Sequence, residues 1–286
     1  MLCRNCKNKL NTKIVKIGSQ PISSVYYLTK KTQLKKYSLD LYICKKCELI
    51  QFKKLAPLDD MYGTTYGYRT SLSKYMINHI KKKYNKLISQ KFLKNNSNIL
   101  DIGSNDGTFL NLFANRKNDF LLGVDPSAKK FRKYYKKNIN LLINYFSLET
   151  AKIIAKDFSA KKGFSLISSF AMFYDIEDPN GFCKAINLLL AKNSKWISEF
   201  SYFPLLLKNL TYDQICHEHV TYYTLSTFKK IVEKNGMQIQ DISFNEINGG
   251  SIEVSCIKKS SLEKINYKKI DHCLAEEKKI NFNSYK

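Results

Sequence analysis

The stretch Asn98-Ile99-Leu100-Asp101-Ile102-Gly103-Ser104-Asn105-Asp106-Gly107-Thr108-Phe109 decides the fold. Apolar residues run into a single acid, Asp101, and a turn containing Gly103 and Gly107 follows. Glycine lets a ligand approach the backbone closely. The pattern predicts a buried strand over 98–103 and a helix over 108–116, joined by a ligand-holding turn. A dinucleotide fingerprint reads GxGxxG, and here Asn105 stands where the second glycine belongs. That disfavours a pyrophosphate-bearing cofactor, whereas Asp101 suits a ligand with an ammonium group. Ser104, Asn105 and Gly107 complete the turn as candidate cofactor contacts. Asp125 comes 22 residues after Gly103, at the end of the apolar run Phe120-Leu121-Leu122-Gly123-Val124. A carboxylate at the end of a second strand can take both hydroxyls of a ribose.

Outward from this motif the pattern alternates. Strands are predicted over 120–125, 138–143, 164–170 and 195–200, and helices over 127–136, 148–156 and 180–190. Such alternation predicts an α/β fold, a mostly parallel sheet with helices on both faces. Residues 226–235 read as a helix, with Ser226 as its N-cap and Gly236 as its stop. Runs 238–244 and 251–258 flank Asn248-Gly249-Gly250 as a terminal antiparallel hairpin. Upstream, Leu72, Tyr75, Met76, His79, Ile80, Tyr84, Leu87 and Ile88 recur at helical spacing. Residues 1–60 therefore read as a small module, 61–96 as a helical linker, and 97–258 as the main domain. The lysine-rich residues 259–286 read as a helical start of something further.

Eight cysteines occur, four of them as Cys3-x-x-Cys6 and Cys44-x-x-Cys47. A two-residue gap lets both thiolates of a pair face one ion, and two such pairs make a closed, structural Zn²⁺ site. The 37 residues between the pairs need a hairpin or loops of their own. Cys183, Cys216, Cys256 and Cys273 show no ligand spacing and read as small core hydrophobes. No run is long and apolar enough for a membrane helix, and the start MLCRNCKNKL lacks a signal peptide's apolar segment. A cytoplasmic chain is the expectation. The net charge of +24 comes from lysines spread along the chain, which reads either as a solvated surface or as a field for an anionic partner.

Two segments carry polar chemistry that a core does not need. In Tyr212-Asp213-Gln214-Ile215-Cys216-His217-Glu218-His219-Val220-Thr221-Tyr222-Tyr223, two of the four histidines flank a glutamate. A neutral imidazole is a suitable base near neutral pH, and a neighbouring carboxylate can orient it. The spacing differs from the HExxH of zinc proteases, so no metal is read here. The other segment is Met61-Tyr62-Gly63-Thr64-Thr65-Tyr66-Gly67-Tyr68-Arg69-Thr70-Ser71, whose phenols can hydrogen-bond a sugar oxygen.

Taken together, the chain resembles the zinc-containing, S-adenosylmethionine (SAM)-dependent C-methyltransferases of nucleotide-linked deoxysugars. The matching residues are the CxxC pairs, Gly18-Ser19-Gln20-Pro21, the tyrosines near Tyr66 and Tyr68, and the Asp101–Gly107 loop. Next come Met172-Phe173-Tyr174-Asp175-Ile176-Glu177-Asp178-Pro179, the segment around His219, and Asn248-Gly249-Gly250-Ser251. The resemblance implies a class I methyltransferase sheet closed by an antiparallel hairpin. Asp101 and Gly103 would contact the methionine part of SAM, and Asp125 its ribose. His219 would remove the proton beside a keto group, Glu218 would support it or bind the sugar, and Tyr68, ahead of Tyr66, would sit near the acceptor. The partner would be a nucleotide sugar, its diphosphate suited to the lysine-rich surface. The chain departs from the family's best-known members at Asp175, where they carry histidine, at Cys216, where they carry tyrosine, and at Asn248, where they carry histidine. The family also continues as a second α/β domain, of which 259–286 would be the start. Alternative readings are a sugar O- or N-methyltransferase, an inactive scaffold, and a basic nucleic-acid-binding protein. The last leaves Asp101, Asp125 and the histidine cluster unexplained.

Overall fold

One CxxC turn precedes a small antiparallel sheet and the other joins two of its strands in the computed structural model, which describes residues 1–23, 25, 33–62, 66–116, 119–157 and 162–280. The strands of this sheet are β1 (Thr12–Val15), β4 (Leu41–Ile43), β5 (Ile50–Phe52) and, from far along the chain, β11 (Thr221–Tyr222), in that order, while β2 (Ser19–Pro21) and β3 (Lys36–Ser38) pair separately. Gly63, Thr64 and Thr65 of the tyrosine-rich segment lie outside the described residues, as do 281–286. Helices α1 (Leu58–Tyr62) and α2 (Lys74–Ser89) follow.

The main sheet then builds in chain order: β6 (Asn98–Ile102), β7 (Phe120–Val124), α3 (Ala128–Phe131), β8 (Ile139–Leu142), α4 (Leu148–Asp157) and β9 (Phe164–Phe170). After these come α5 (Pro179–Leu189), β10 (Leu190–Ser201), α6 (Phe203–Asn209), β11 (Thr221–Tyr222) and α7 (Leu225–Lys234). The hairpin β12 (Met237–Asn245) and β13 (Ser251–Lys258) and the helix α8 (Tyr267–Lys278) complete the described chain. The seven strands stand in the order β12-β13-β10-β9-β6-β7-β8. Neighbours from β10 to β8 are parallel, and β13 is antiparallel to both β10 and β12. This is the expected α/β class I methyltransferase sheet with its terminal hairpin. The chain direction of build reverses between β6 and β9, and ligands bind at the carboxyl ends of strands at such a switch point.

The predicted helix over 108–116 is replaced by a tight turn at Leu110–Leu112. Phe109, Leu110 and Phe113 are all buried within five residues, and Asn111 spends its side chain on Tyr134 O and Lys136 N–H. Three-residue hydrogen bonds pack those rings more closely than an α-helix does. The α7 cap also differs from expectation. Thr224, not Ser226, is the N-cap, in a reciprocal pair of bonds with Thr227. Ser226 N–H instead donates to Glu277 of α8 at 2.9 Å.

Two helices outside the sheet pack on its core. In α2, Ile80 and Leu87 join Ile99, Phe109, Phe113, Leu121 and Leu166 in one core layer over the sheet. In α8, Ile270 and Cys273 are buried in the main core with Ile239 and Val254. Both helices have an apolar stripe, and covering the sheet buries it at about 25 cal/mol per Å². Leu72 and Tyr75, predicted on the α2 stripe, remain exposed. Among the described residues no helix is long and apolar enough to cross a membrane.

Candidate active site and zinc centre

A cleft of about 460 Å³ opens at the carboxyl ends of β6, β7 and β9. Asp101, Gly103, Ser104, Asn105 and Asp125 line one half, and Tyr174, Asp175, Cys216, Glu218, His219 and Asn248 the other. Among the described residues no lysine or arginine lines it, so the positive charge lies elsewhere on the surface.

Asp101 is 4% exposed and accepts a hydrogen bond from Ser168 Oγ at 2.6 Å. Burial pushes its carboxyl up to about 7, against that hydrogen bond, which lowers it. Asp125 Oδ2 accepts from Asn105 N–H at 2.8 Å, and Oδ1 accepts from Ser127 N–H and Oγ–H at 2.6 Å each. Burial raises this carboxyl as well. Gly103 has φ +70°, and a Cβ there would meet Met172 Cγ at 3.1 Å, so a side chain at this turn is strained and crowds Met172. A buried acid on β6, a second acid after β7 and a bare backbone between them fit the ammonium, ribose and carboxylate chemistry of SAM.

The side chains of the remaining loop residues brace the loop itself. Ser104 Oγ–H donates to Tyr135 Oη at 2.9 Å, whose own proton goes to Asn105 O at 2.8 Å. Asn105 Oδ1 accepts from Thr70 N–H at 2.9 Å and Thr70 Oγ–H at 3.2 Å, and Asp106 Oδ2 accepts from Ser71 N–H at 3.0 Å. These side chains therefore tie the 68–71 strap across the cofactor half. Gly107 is not among the lining residues; its φ is +75° and a Cβ would strike the Tyr135 ring at 2.6 Å. It is a packing glycine.

His219 stands in the acceptor half, its ring 4.0 Å from that of Tyr174. Its Nδ1 lies 2.9 Å from Gln214 O. A carbonyl oxygen only accepts, so Nδ1 carries the proton and Nε2 keeps its lone pair. Burial lowers the imidazole to about 4, so it is neutral at pH 7. His217 is separated from it: 2% exposed, it donates from Nε2 to Tyr37 O at 3.0 Å, inside the N-terminal module. Glu218 lines the cleft, and so does Cys216, which is not the core hydrophobe expected. Phe173, fully buried against Tyr223 and Phe228, anchors the turn that presents Tyr174 and Asp175. Asn248, with φ +50°, donates to Tyr174 Oη at 3.2 Å. Tyr68 lies at the rim, 45% exposed, while Tyr66 packs edge-on against Tyr62 at 5.2 Å. Sequence reasoning missed Tyr62 as a lining residue, and only its place in the tyrosine-rich stretch pointed to it. It also missed a buried ionic cluster, whose Lys83 and Glu253 line a second cleft. There Glu199 takes His79 at 2.8 Å and Lys83 at 2.6 Å, and Lys83 also meets Glu253.

The four sulfurs of Cys3, Cys6, Cys44 and Cys47 lie within 4.8 Å of one another. Cys3–Cys47 and Cys6–Cys44 are each 3.5 Å apart, close to the sulfur–sulfur edge of about 3.8 Å around a Zn²⁺ with 2.3 Å bonds. The two turns match: Lys7 and Glu48 both have positive φ, at 60° and 65°, and their N–H groups return to Cys3 O and Cys44 O. An all-thiolate, closed set fits a structural Zn²⁺. Of the other cysteines, Cys183, Cys256 and Cys273 are buried as expected.

Fold and site together define a class I methyltransferase joined to a four-cysteine zinc module. A family model described as "Methyltransferase domain" matches residues 73–242, more than half of the chain. A second, described as "Putative zinc binding domain", matches residues 3–62. The chain belongs to the methyltransferase domain family, with SAM and Zn²⁺ as its cofactors. The C-methyltransferase NovU of Streptomyces niveus is 26% identical over 218 residues, 76% of this chain and 51% of NovU. The chain thus spans about half the length of that relative. Among solved structures, the PH0226 protein of Pyrococcus horikoshii OT3 is similar in fold, with TM-score 0.52 and 17% identity over 67% of this chain and 95% of that one. Magnesium protoporphyrin IX methyltransferase of Synechocystis PCC 6803, solved with bound SAH, gives TM-score 0.46 and 13% identity over 64% and 83%.

Proposed function

We propose that the chain is a SAM-dependent C-methyltransferase acting on a nucleotide-linked keto-deoxysugar through an enolate. The observation that carries this is the tautomer of His219, whose unprotonated Nε2 belongs to a residue lining the half of the cleft opposite Asp101 and Asp125. The relative NovU is a C-methyltransferase, which agrees with it. SAM held by Asp101, the Gly103–Asn105 backbone and Asp125 would supply an electrophilic methyl group on positively charged sulfur. His219 takes the proton from the carbon beside the keto group, a carbon too weakly acidic to react otherwise. Glu218, adjacent in chain and cleft, holds a sugar hydroxyl or steadies the protonated imidazole. Tyr68 reaches the acceptor from the rim, and the 68–71 strap keeps water from the cofactor half. The sugar's diphosphate then projects toward the lysine-bearing surface.

The test is deuterium uptake at the carbon beside the keto group, followed by NMR in D₂O with no SAM added. Carbon methylation requires exchange by the unaltered chain and none by His219→Ala, which should still bind SAM. Full turnover by His219→Ala would remove it as the base. Turnover without any exchange would move the methyl group to oxygen or nitrogen.

A further inference from the structure

Two buried polar atoms in the acceptor half have no hydrogen-bond partner, Tyr62 Oη and Asp175 Oδ1. Both residues line the cleft. Roughly nine in ten buried polar groups are paired, so two orphans in one cleft point to a ligand that completes them. Tyr62 ends α1 and packs on Tyr66. Asp175 closes the turn behind the buried Phe173, with its N–H on Met172 O at 3.0 Å. They come from different parts of the chain, and the Tyr62 hydroxyl lies close enough to the Asp175 carboxyl to lower it as a hydrogen-bond donor does.

We infer that Tyr62 and Asp175 together bind the acceptor oxygen that becomes negative when His219 removes the neighbouring proton. This rests on the carbon-methylation reading above. In that step the proton passes to His219 Nε2, the C–H electron pair becomes the new C=C bond, and the C=O π pair moves onto oxygen. The oxygen accepts hydrogen bonds from the Tyr62 hydroxyl and the Asp175 carboxyl O–H, and both groups keep their protons. Their chemistry suits donation. Burial holds the Tyr62 phenol well above its ordinary range. Burial first, and then the charge of Glu218, hold Asp175 well above the usual carboxylate range, against a smaller lowering by the Tyr62 hydroxyl. A tyrosine beside a protonated aspartate is the donor pair that serves ketosteroid isomerase, another enzyme that enolises a ketone.

The experiment uses dTDP-4-keto-6-deoxyglucose as the probe, in D₂O without SAM, with SAM affinity measured separately by calorimetry as the check on folding. Tyr62→Phe and Asp175→Leu should each slow deuterium uptake by about 10²-fold while SAM binds as before. Asp175→Asn keeps an N–H donor and should stay within about tenfold of the unaltered chain. Uptake by Asp175→Leu at the unaltered rate overturns the pair. Asp175→Asn as slow as Asp175→Leu overturns donation in favour of an ionised carboxylate. No uptake by the unaltered chain overturns the carbon reading itself and takes the pair with it, a result distinct from either of the others.

Discussion

Gln51 in β5 is the antiparallel partner of Thr221 in β11, and its side-chain amide donates to Cys3 Sγ at 3.2 Å. One fully buried residue therefore touches both the thiolate cluster and the strand that begins just after His219. Arg4 completes the link, donating to Gln51 Oε1 at 3.0 Å and to Phe52 O at 2.6 Å. The zinc module is thus stitched to the segment that carries the proposed base.

Metal loss should therefore be felt at His219 more than at the cofactor half. Zinc near one per chain is expected, falling to a small fraction in Cys44→Ser. After chelation, amide hydrogen exchange over 217–222 should speed up by about tenfold or more, while β6 and β7 stay protected. Equal protection before and after chelation would show that the module leaves this segment alone.

Cofactor binding should release a proton near neutrality. Asp101 titrates at about 7 in the free protein because burial penalises its charged form. An ammonium group beside it favours that charged form, so its value falls on binding and the proton leaves. Calorimetry at pH 7 in buffers of unlike ionisation enthalpy should give roughly half a proton released per SAM, shrinking toward zero by pH 9. No proton release at pH 7 would place the ammonium elsewhere.

The base should remain active well into acid. His219 is lowered to about 4 by burial, with the Gln214 hydrogen bond and then Asp213 pulling the other way. A histidine of ordinary value near 6.5 in the unfolded chain binds protons there first. Its stabilising contribution is therefore full above pH 6.5 and is lost as pH falls through 4. The acid limb of kcat/KM should lie near pH 4 instead of 6.5. A limb at 6.5 would mean that the ring is open to water when substrate binds.

Asp125→Ala should do two kinds of damage. It removes the carboxylate expected to hold the ribose, so SAM binding should drop by at least about 100-fold. It also strands Asn105 N–H and Ser127 N–H, both bonded to it, at about 1–3 kcal/mol of stability. Thermal melts should show the fall in Tm without ligand. An unchanged Tm would mean that water replaces the carboxylate.

Asn105→Ala should loosen the strap. Its Oδ1 takes two hydrogen bonds from Thr70, and losing them should speed SAM release by about tenfold. Stopped-flow displacement reads this directly. Release at the original rate would leave the strap without a gating role.

Reading along the chain succeeds where the signal is local. The strand ends at Asp101 and Asp125, the two CxxC turns, Gly236 at +81° after α7, and the β12–β13 hairpin all depend on residues within a few positions of one another. It falters where packing between distant segments decides. The turn at 110–112 is tightened by rings that meet Tyr84 and Phe170. Lys83 looks like one of many surface lysines until Glu199 and Glu253 bury it. His217 and His219 are two residues apart, yet one serves the module and the other the cleft.

The sequence by itself determined the sheet, the acids at the ends of β6 and β7 and the cluster of four cysteines, because strand periodicity, glycine turns and thiolate spacing are set by neighbouring residues and backbone geometry. Only the tertiary structure decided that Gln51 joins Cys3 to the strand that begins at Thr221, that Asn105 and Asp106 hold the strap, and that Tyr62 and Asp175 share one cleft. Those relations join side chains far apart in the chain, and burial changes their charge and hydrogen bonding only once the core has closed around them.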